Sequence, residues 1–204
     1  ECLESSQTVC GAMKRNIKEA VRIATKQSNT NINSNIVFDN TRSPEGEVWY
    51  YSNGLTIGSG GGTLLVNGRG TLIVDGDLRI ESDLEYATVK SMLGIIVRNG
   101  DVIIDPEVHK TVGIHYVYSD PGGSGGSFRV LSRQTDYDQQ YILRGSVIAS
   151  GYTVAGKRVD AFVLERNYIG GLADVDIANQ NTWQPSEKFE YDARIAINPP
   201  PGFT

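Results

Sequence analysis

The sequence predicts a mainly β fold, a short parallel β-helix (β-solenoid) with an N-terminal amphipathic helix, and three observations carry that reading. Short runs rich in β-branched residues recur from Ile36 onward, separated by Gly, Asn or Asp. A strand–polar–Gly–polar–strand motif appears at Val74-Asp75-Gly76-Asp77-Leu78-Arg79-Ile80 and returns at Arg98-Asn99-Gly100-Asp101-Val102-Ile103-Ile104, its glycines 24 positions apart. Strands such as Leu93 to Val97 are apolar nearly throughout, as in strands buried on more than one side. The 23 glycines suit a chain of short strands and frequent corners. The alternative is an antiparallel β-sandwich, in which the Asn-Gly and Asp-Gly links close hairpins instead of turning the corners of a coil.

Two segments are expected: residues 1–35, a cysteine loop and helix packed as a cap, and residues 36–204, the β-solenoid with a Pro-rich C-terminal tail. Cys2 and Cys10 read as a small disulfide loop in an exported protein. On one continuous helix their Cα atoms would lie ~12 Å apart, so a bridge needs a turn between them. From Cys10 to about Ser28, Met13, Ile17, Ala20, Val21 and Ala24 recur at helical spacing while Lys14, Arg15, Lys18, Glu19 and Lys26 face away. Strands are expected at Ile36–Phe38, Val48–Tyr51, Leu55–Ile57, Thr63–Val66, Thr71–Val74, Leu78–Ile80, Gly94–Val97 and Val102–Ile104. They continue at Gly113–Tyr118, Ser127–Leu131, Tyr141–Leu143 and Val147–Ala149. Leu143-Arg144-Gly145-Ser146-Val147-Ile148 reads as a further copy of the corner, and Asp120 to Gly126 as a flexible loop interrupting the repeat. Phe189 to Ile197 reads as a final strand, followed by a polyproline tail at Asn198-Pro199-Pro200-Pro201-Gly202-Phe203.

Composition narrows the function classes. A net charge of −5 with no basic stripe argues against nucleic-acid binding. No apolar run approaches the ~20 residues of a membrane span, so membrane contact is expected only through a segment outside this chain. The opening at Glu1 rather than Met reads as a processed or excised piece. Gly58-Ser59-Gly60-Gly61-Gly62 precedes a strand rather than a helix, which makes it a β corner and not a phosphate cradle. His109 and His115 complete no zinc set and no nucleophile dyad. Asp75, Asp77, Asp101 and Asp105 could face one another across stacked coils, as the carboxylates of a carbohydrate-active enzyme do, but Asp beside Gly is also ordinary turn chemistry. Tyr50, Tyr51, Tyr116 and Tyr118 form either an aromatic strip for glycans and protein partners or filling between coils. No catalytic residue, metal or cofactor is expected.

The runs Gly70 to Ile80 and Leu93 to Val102, with the terminal Asn-Pro-Pro-Pro-Gly-Phe, resemble the C-terminal β-helical regions of bacterial surface proteins linked to type IV pili. The Gly-Asp-Leu coils also resemble bactofilins, polymer-forming β-helical cytoskeletal proteins. Long insertions and the cysteine helix depart from the bactofilin pattern. The pilus-linked resemblance implies an extracellular, non-enzymatic domain on a larger membrane-anchored chain. The expected function is adhesion or appendage assembly at the cell surface, with a protein or glycan partner. A carbohydrate-active β-helix enzyme and a self-associating filament subunit are the alternatives.

Overall fold

The computed structural model describes residues 9–41, 43–133, 139–154, 157–166 and 186–203. The chain is mainly β, and its three larger sheets are wholly parallel. Helix α1 (Val9–Ile23) leads into three rounds of three strands. They are β1 (Thr25–Gln27), β2 (Asn31–Ile32) and β3 (Ile36–Val37); β4 (Glu47–Tyr51), β5 (Leu55–Ile57) and β6 (Thr63–Asn67); and β7 (Arg69–Asp75), β8 (Leu78–Ile80) and β9 (Asp83–Tyr86). Two rounds of two strands follow: β10 (Met92–Arg98) with β11 (Val102–Ile104), and β12 (Lys110–Tyr118) with β13 (Phe128–Val130). Then come β14 (Tyr141–Ala149), β15 (Tyr152–Val154), β16 (Lys157–Val159), β17 (Phe162–Leu164), β18 (Glu187–Glu190) and the short helix α2 (Arg194–Ile197).

Consecutive strands enter different sheets. Sheet A runs β1-β4-β7-β10-β12-β14-β18, sheet B runs β17-β13-β11-β8-β5-β2, and sheet C runs β3-β6-β9. Each strand therefore pairs with one a full round away, which makes the pairing parallel. In sheet A, Thr25 pairs with Trp49, Trp49 with Leu72, Leu72 with Ile95, and Ile95 with His115, steps of 24, 23, 23 and 20 residues. Among the described residues only β15 and β16 pair antiparallel, so the sandwich alternative fails.

Strands stacked in register align side chains in columns about 4.8 Å apart. The inward columns Leu72–Ile95 and Val74–Val97 of sheet A, Leu78–Val102 and Ile80–Ile104 of sheet B, and Leu84 of sheet C belong to one buried apolar cluster. Sheet B's last rung is the exception: Phe162 is 43% exposed, whereas Phe128 beneath it is fully buried.

The corner between sheets A and B carries the repeat read from the sequence. Gly76 N donates to Arg98 O at 2.9 Å, Leu78 N to Asp101 O at 2.9 Å, and Gly126 N to Gly100 O at 2.8 Å. The backbone ladder thus runs through the turn, and the tight approach admits only glycine: a Cβ on Gly125 would stand 2.5 Å from the Gly100 backbone. The second half of the 120–126 segment is therefore corner rather than free loop. Gly145 belongs elsewhere, since it pairs with Gly113 in the middle of β14 and is not a corner copy.

Several boundaries differ from expectation. The helix stops at Ile23, because residues 25–27 gain a strand partner in β4. Sheets therefore begin at Thr25, not 36, and the helix does not cap the end of the stack. It lies across the outer face of sheet A, where Ile17 and Ala20 bury against Val48, Ile73, Ile96, Tyr116 and Tyr118 while Arg15, Lys18 and Arg22 stay exposed. Of these, Ile73, Ile96 and Tyr116 stand in register on successive strands, and burying a large apolar side chain is worth about 1.5–3 kcal/mol. Strand β9 escapes the sequence pattern because Leu84 is its sole fully buried residue. The expected strand at Phe189–Ile197 is β18 followed by α2, which begins where Asp192 Oδ1 accepts from Arg194 N at 3.2 Å.

Among the described residues sheet C ends after β9, and side chains take up backbone groups of the segment beyond it. Asp83 Oδ1 accepts from His109 N at 2.7 Å and Lys110 N at 3.1 Å. Arg166, 6% exposed, donates to the carbonyls of Pro106, Asp105 and Val108 at 2.6, 2.8 and 2.6 Å.

The C-terminal segment returns to sheet A. Arg69 donates to Pro199 O, Thr71 Oγ1 donates to Pro201 O at 2.5 Å, and Phe203 packs against the cluster under the helix. Helix and tail together explain why Thr71, Ile73 and Ile96 are fully buried on a face that points away from the core.

Candidate functional site

The tyrosines do not form one exposed strip. Tyr51 faces the core at 3% exposure, and that burial pushes its hydroxyl up to about 12. Tyr116 and Tyr118 point outward but are 6% and 5% exposed beneath α1. Their rings stack 5.0 Å apart, and Lys14 stands over the Tyr118 ring at 5.7 Å. Tyr50 is half-buried beside them, its hydroxyl donating to Asp75. Burial, then the Asp75 contact, raises its pKa. The alternating pleat separates Tyr50 from Tyr51, and α1 covers the other two. Filling, rather than display, is the role of all but Tyr50.

The aspartates are likewise occupied. Asp77 Oδ1 accepts from Asp101 N at 2.9 Å, and Asp101 Oδ1 accepts from Ser127 N at 3.0 Å, so each carboxylate ties its corner to the next rung. Asp75 takes Arg98 in a two-pronged pair, Nε and Nη2 both at 2.5 Å. This hydrogen-bonded pairing holds the Arg98 pKa above its ordinary value. Asp105 takes Arg79 Nη2 at 2.6 Å. These carboxylates accept from backbone N–H groups and guanidinium forks, and so tie neighbouring strands and corners together.

His115 is fully buried in the core column between Ile95 and Val147, edge-on to Phe128 at 5.4 Å, and burial pulls its pKa down to about 4. Among the described residues no group of three His, Cys, Asp or Glu side chains is placed to hold a metal ion. Cys2 lies outside the described residues, and Cys10 is placed only as backbone in α1, so the disulfide expectation falls outside what they describe. Among them no helix is long and apolar enough to cross a membrane.

The accessible candidate is one that the tyrosine reading missed. The outer face of sheet B carries the column Asn31–Thr56–Arg79–Ile103–Arg129. Beside it a shallow groove runs along the corner, lined by Thr30, Asn53, Thr56, Asp77 and Arg79. Thr30, Asn53 and Asp77 are exposed, and Arg79 is braced by Glu81 at 2.8 Å and Asp105 at 2.6 Å. Asn31, Thr56, Arg79 and Arg129 present donors and acceptors on successive strands, with Ile103 as an apolar rung between the two arginines. Residues at every second position between buried Leu and Ile were the available signal, since Leu78-Arg79-Ile80 and Leu55-Thr56-Ile57 share that alternation. No protein-family model, curated protein or solved structure matches the chain.

Proposed function

We propose that the stacked sheets form a β-solenoid acting as a non-catalytic domain outside the cell, in adhesion or appendage assembly, with the outer face of sheet B as its contact surface. The observation that carries the reading is the in-register, mainly polar column and groove of that face, on which no described element packs, whereas α1 and the tail cover sheet A's face. Hydrogen-bonding groups spread over successive strands about 4.8 Å apart, with an apolar rung at Ile103, suit an extended polymer, a surface glycan or an extended protein segment, better than a small metabolite. The resemblance to pilus-linked surface regions agrees with this class of partner.

The test is binding of the purified chain to polysaccharides and to cell surfaces, compared with Asn53→Ala and Arg79→Glu. A drop of tenfold or more in both variants is expected, with the fold unchanged by circular dichroism. Binding indifferent to both would remove sheet B as the contact surface. Release of reducing ends from a polysaccharide, abolished by Asp77→Asn, would instead favour the carbohydrate-active enzyme.

A further inference from the structure

The segment Pro199–Phe203 sits in a groove built to receive it. Arg69 Nε donates to Pro199 O at 3.1 Å, and the buried Thr71 hydroxyl reaches Pro201 O, two residues on. Gly94 clears the floor: a Cβ there would come within 2.6 Å of the Thr71 hydroxyl that holds the tail, 2.7 Å of the Phe203 ring and 3.0 Å of Pro200. Gly46 does the same at the rim, where a Cβ would stand 2.6 Å from Pro201. Three consecutive prolines offer carbonyls without N–H groups and hold an extended conformation in advance, so they match a site that supplies donors and apolar walls.

Groove and occupant are separable. The groove is made by α1, β4, β7 and β10, and its polar contacts to the tail span 130 positions of sequence. The stretch leading into the tail is loosely held. Helix α2 has no buried residue, Ala196 and Asn198 are exposed, and Ile197 is 85% exposed. Its anchor lies further back, where Arg194 donates to Val89 O at 2.7 Å and covers the Tyr86 ring at 4.7 Å. A swing at Ala196–Asn198 disturbs no buried residue of α2; the contacts it gives up are those of residues 199–203 with the groove, and the tail of a second copy restores them.

The geometry points to tail exchange between copies: residues 199–203 of one chain seat in the sheet A groove of a second. Each copy carries one groove and one tail, so reciprocal exchange closes a dimer and serial exchange extends a chain. Within one chain the tail is present at an effective concentration on the order of millimolar, so exchange becomes prominent when copies are crowded to that level or when self-docking is blocked. The exchange uses the covered outer face of sheet A and is independent of what the outer face of sheet B binds.

Two variants test it by complementation. Gly94→Leu blocks the groove and keeps the tail; truncation after Asn198 removes the tail and keeps the groove. Each alone should run as a monomer in sedimentation velocity, and an equimolar mixture should form a one-to-one heterodimer. If Gly94→Leu does not fold, Arg69→Ala with Thr71→Val takes its place. A labelled peptide of residues 198–203 should bind the truncated chain at least tenfold more tightly than the groove-blocked one. Folded variants that stay monomeric at millimolar concentration would overturn the exchange, and peptide binding alongside that result would leave the groove as a lock within one chain.

Discussion

The outer faces of sheets A and B are both built from strands stacked in register, yet among the described residues one is covered and the other bare. On sheet A the outward column reads Tyr50–Ile73–Ile96–Tyr116, and α1 and the tail close over it. On sheet B it reads Thr56–Arg79–Ile103–Arg129, and no described element packs there. Parallel stacking makes columns whatever the residues are; the side chains decide whether a column recruits a cover or meets a partner. An apolar column gains about 25 cal/mol per Å² on being covered, whereas a charged one loses hydration.

The sharpest way to break the contrast is to place the same charge on both faces. Ile73→Asp buries an unpaired carboxylate beneath the helix and should cost about 4 kcal/mol or more in urea denaturation. Ile103→Asp, in register between Arg79 and Arg129, should stay within about 1 kcal/mol of the parent. Equal costs would mean that the helix is not part of the cooperative fold.

Next comes the core that both faces share. The folded pKa of His115, about 4, lies below its ordinary 6.5, so the unfolded chain takes up a proton first as pH falls. The stability tied to neutral His115 is complete above pH 6.5 and is lost progressively toward pH 4, on the order of 3 kcal/mol over the window. His115→Leu should flatten the stability slope between pH 5 and 7; an unchanged slope would place that titration elsewhere.

Smaller effects belong to the ion pairs at the two margins. Asp75→Ala removes the acceptor of both Arg98 and Tyr50 beside the covered face, and an expected loss of about 1–2 kcal/mol would appear in thermal unfolding. Arg79→Ala on the open face should cost less than about 1 kcal/mol, because its pairs with Glu81 and Asp105 are solvated. A larger loss from Arg79 than from Asp75 would reverse the assignment of structural and contact faces.

Local chemistry alone was enough to predict the mainly β class, the short strands, and the Gly-Asp corners at 76 and 100, since β-branched runs and tight turns are written in consecutive residues. The corner copy proposed at Gly145 failed because a glycine can serve a close mid-strand approach as well as a turn, and only its partner, Gly113, distinguishes the two. Strands β1 and β2 were invisible because Thr-Lys-Gln and Asn-Ile carry no apolar pattern; a backbone partner one round away makes them strands. The tyrosines show the same limit. Their spacing put Tyr116 and Tyr118 on one face, but whether that face meets solvent depended on a helix about a hundred residues upstream and a tail about eighty downstream. Burial is a property of what lies across from a residue, and register, cover and exchangeable tail are all contacts between segments distant in sequence, which tertiary structure alone brings together.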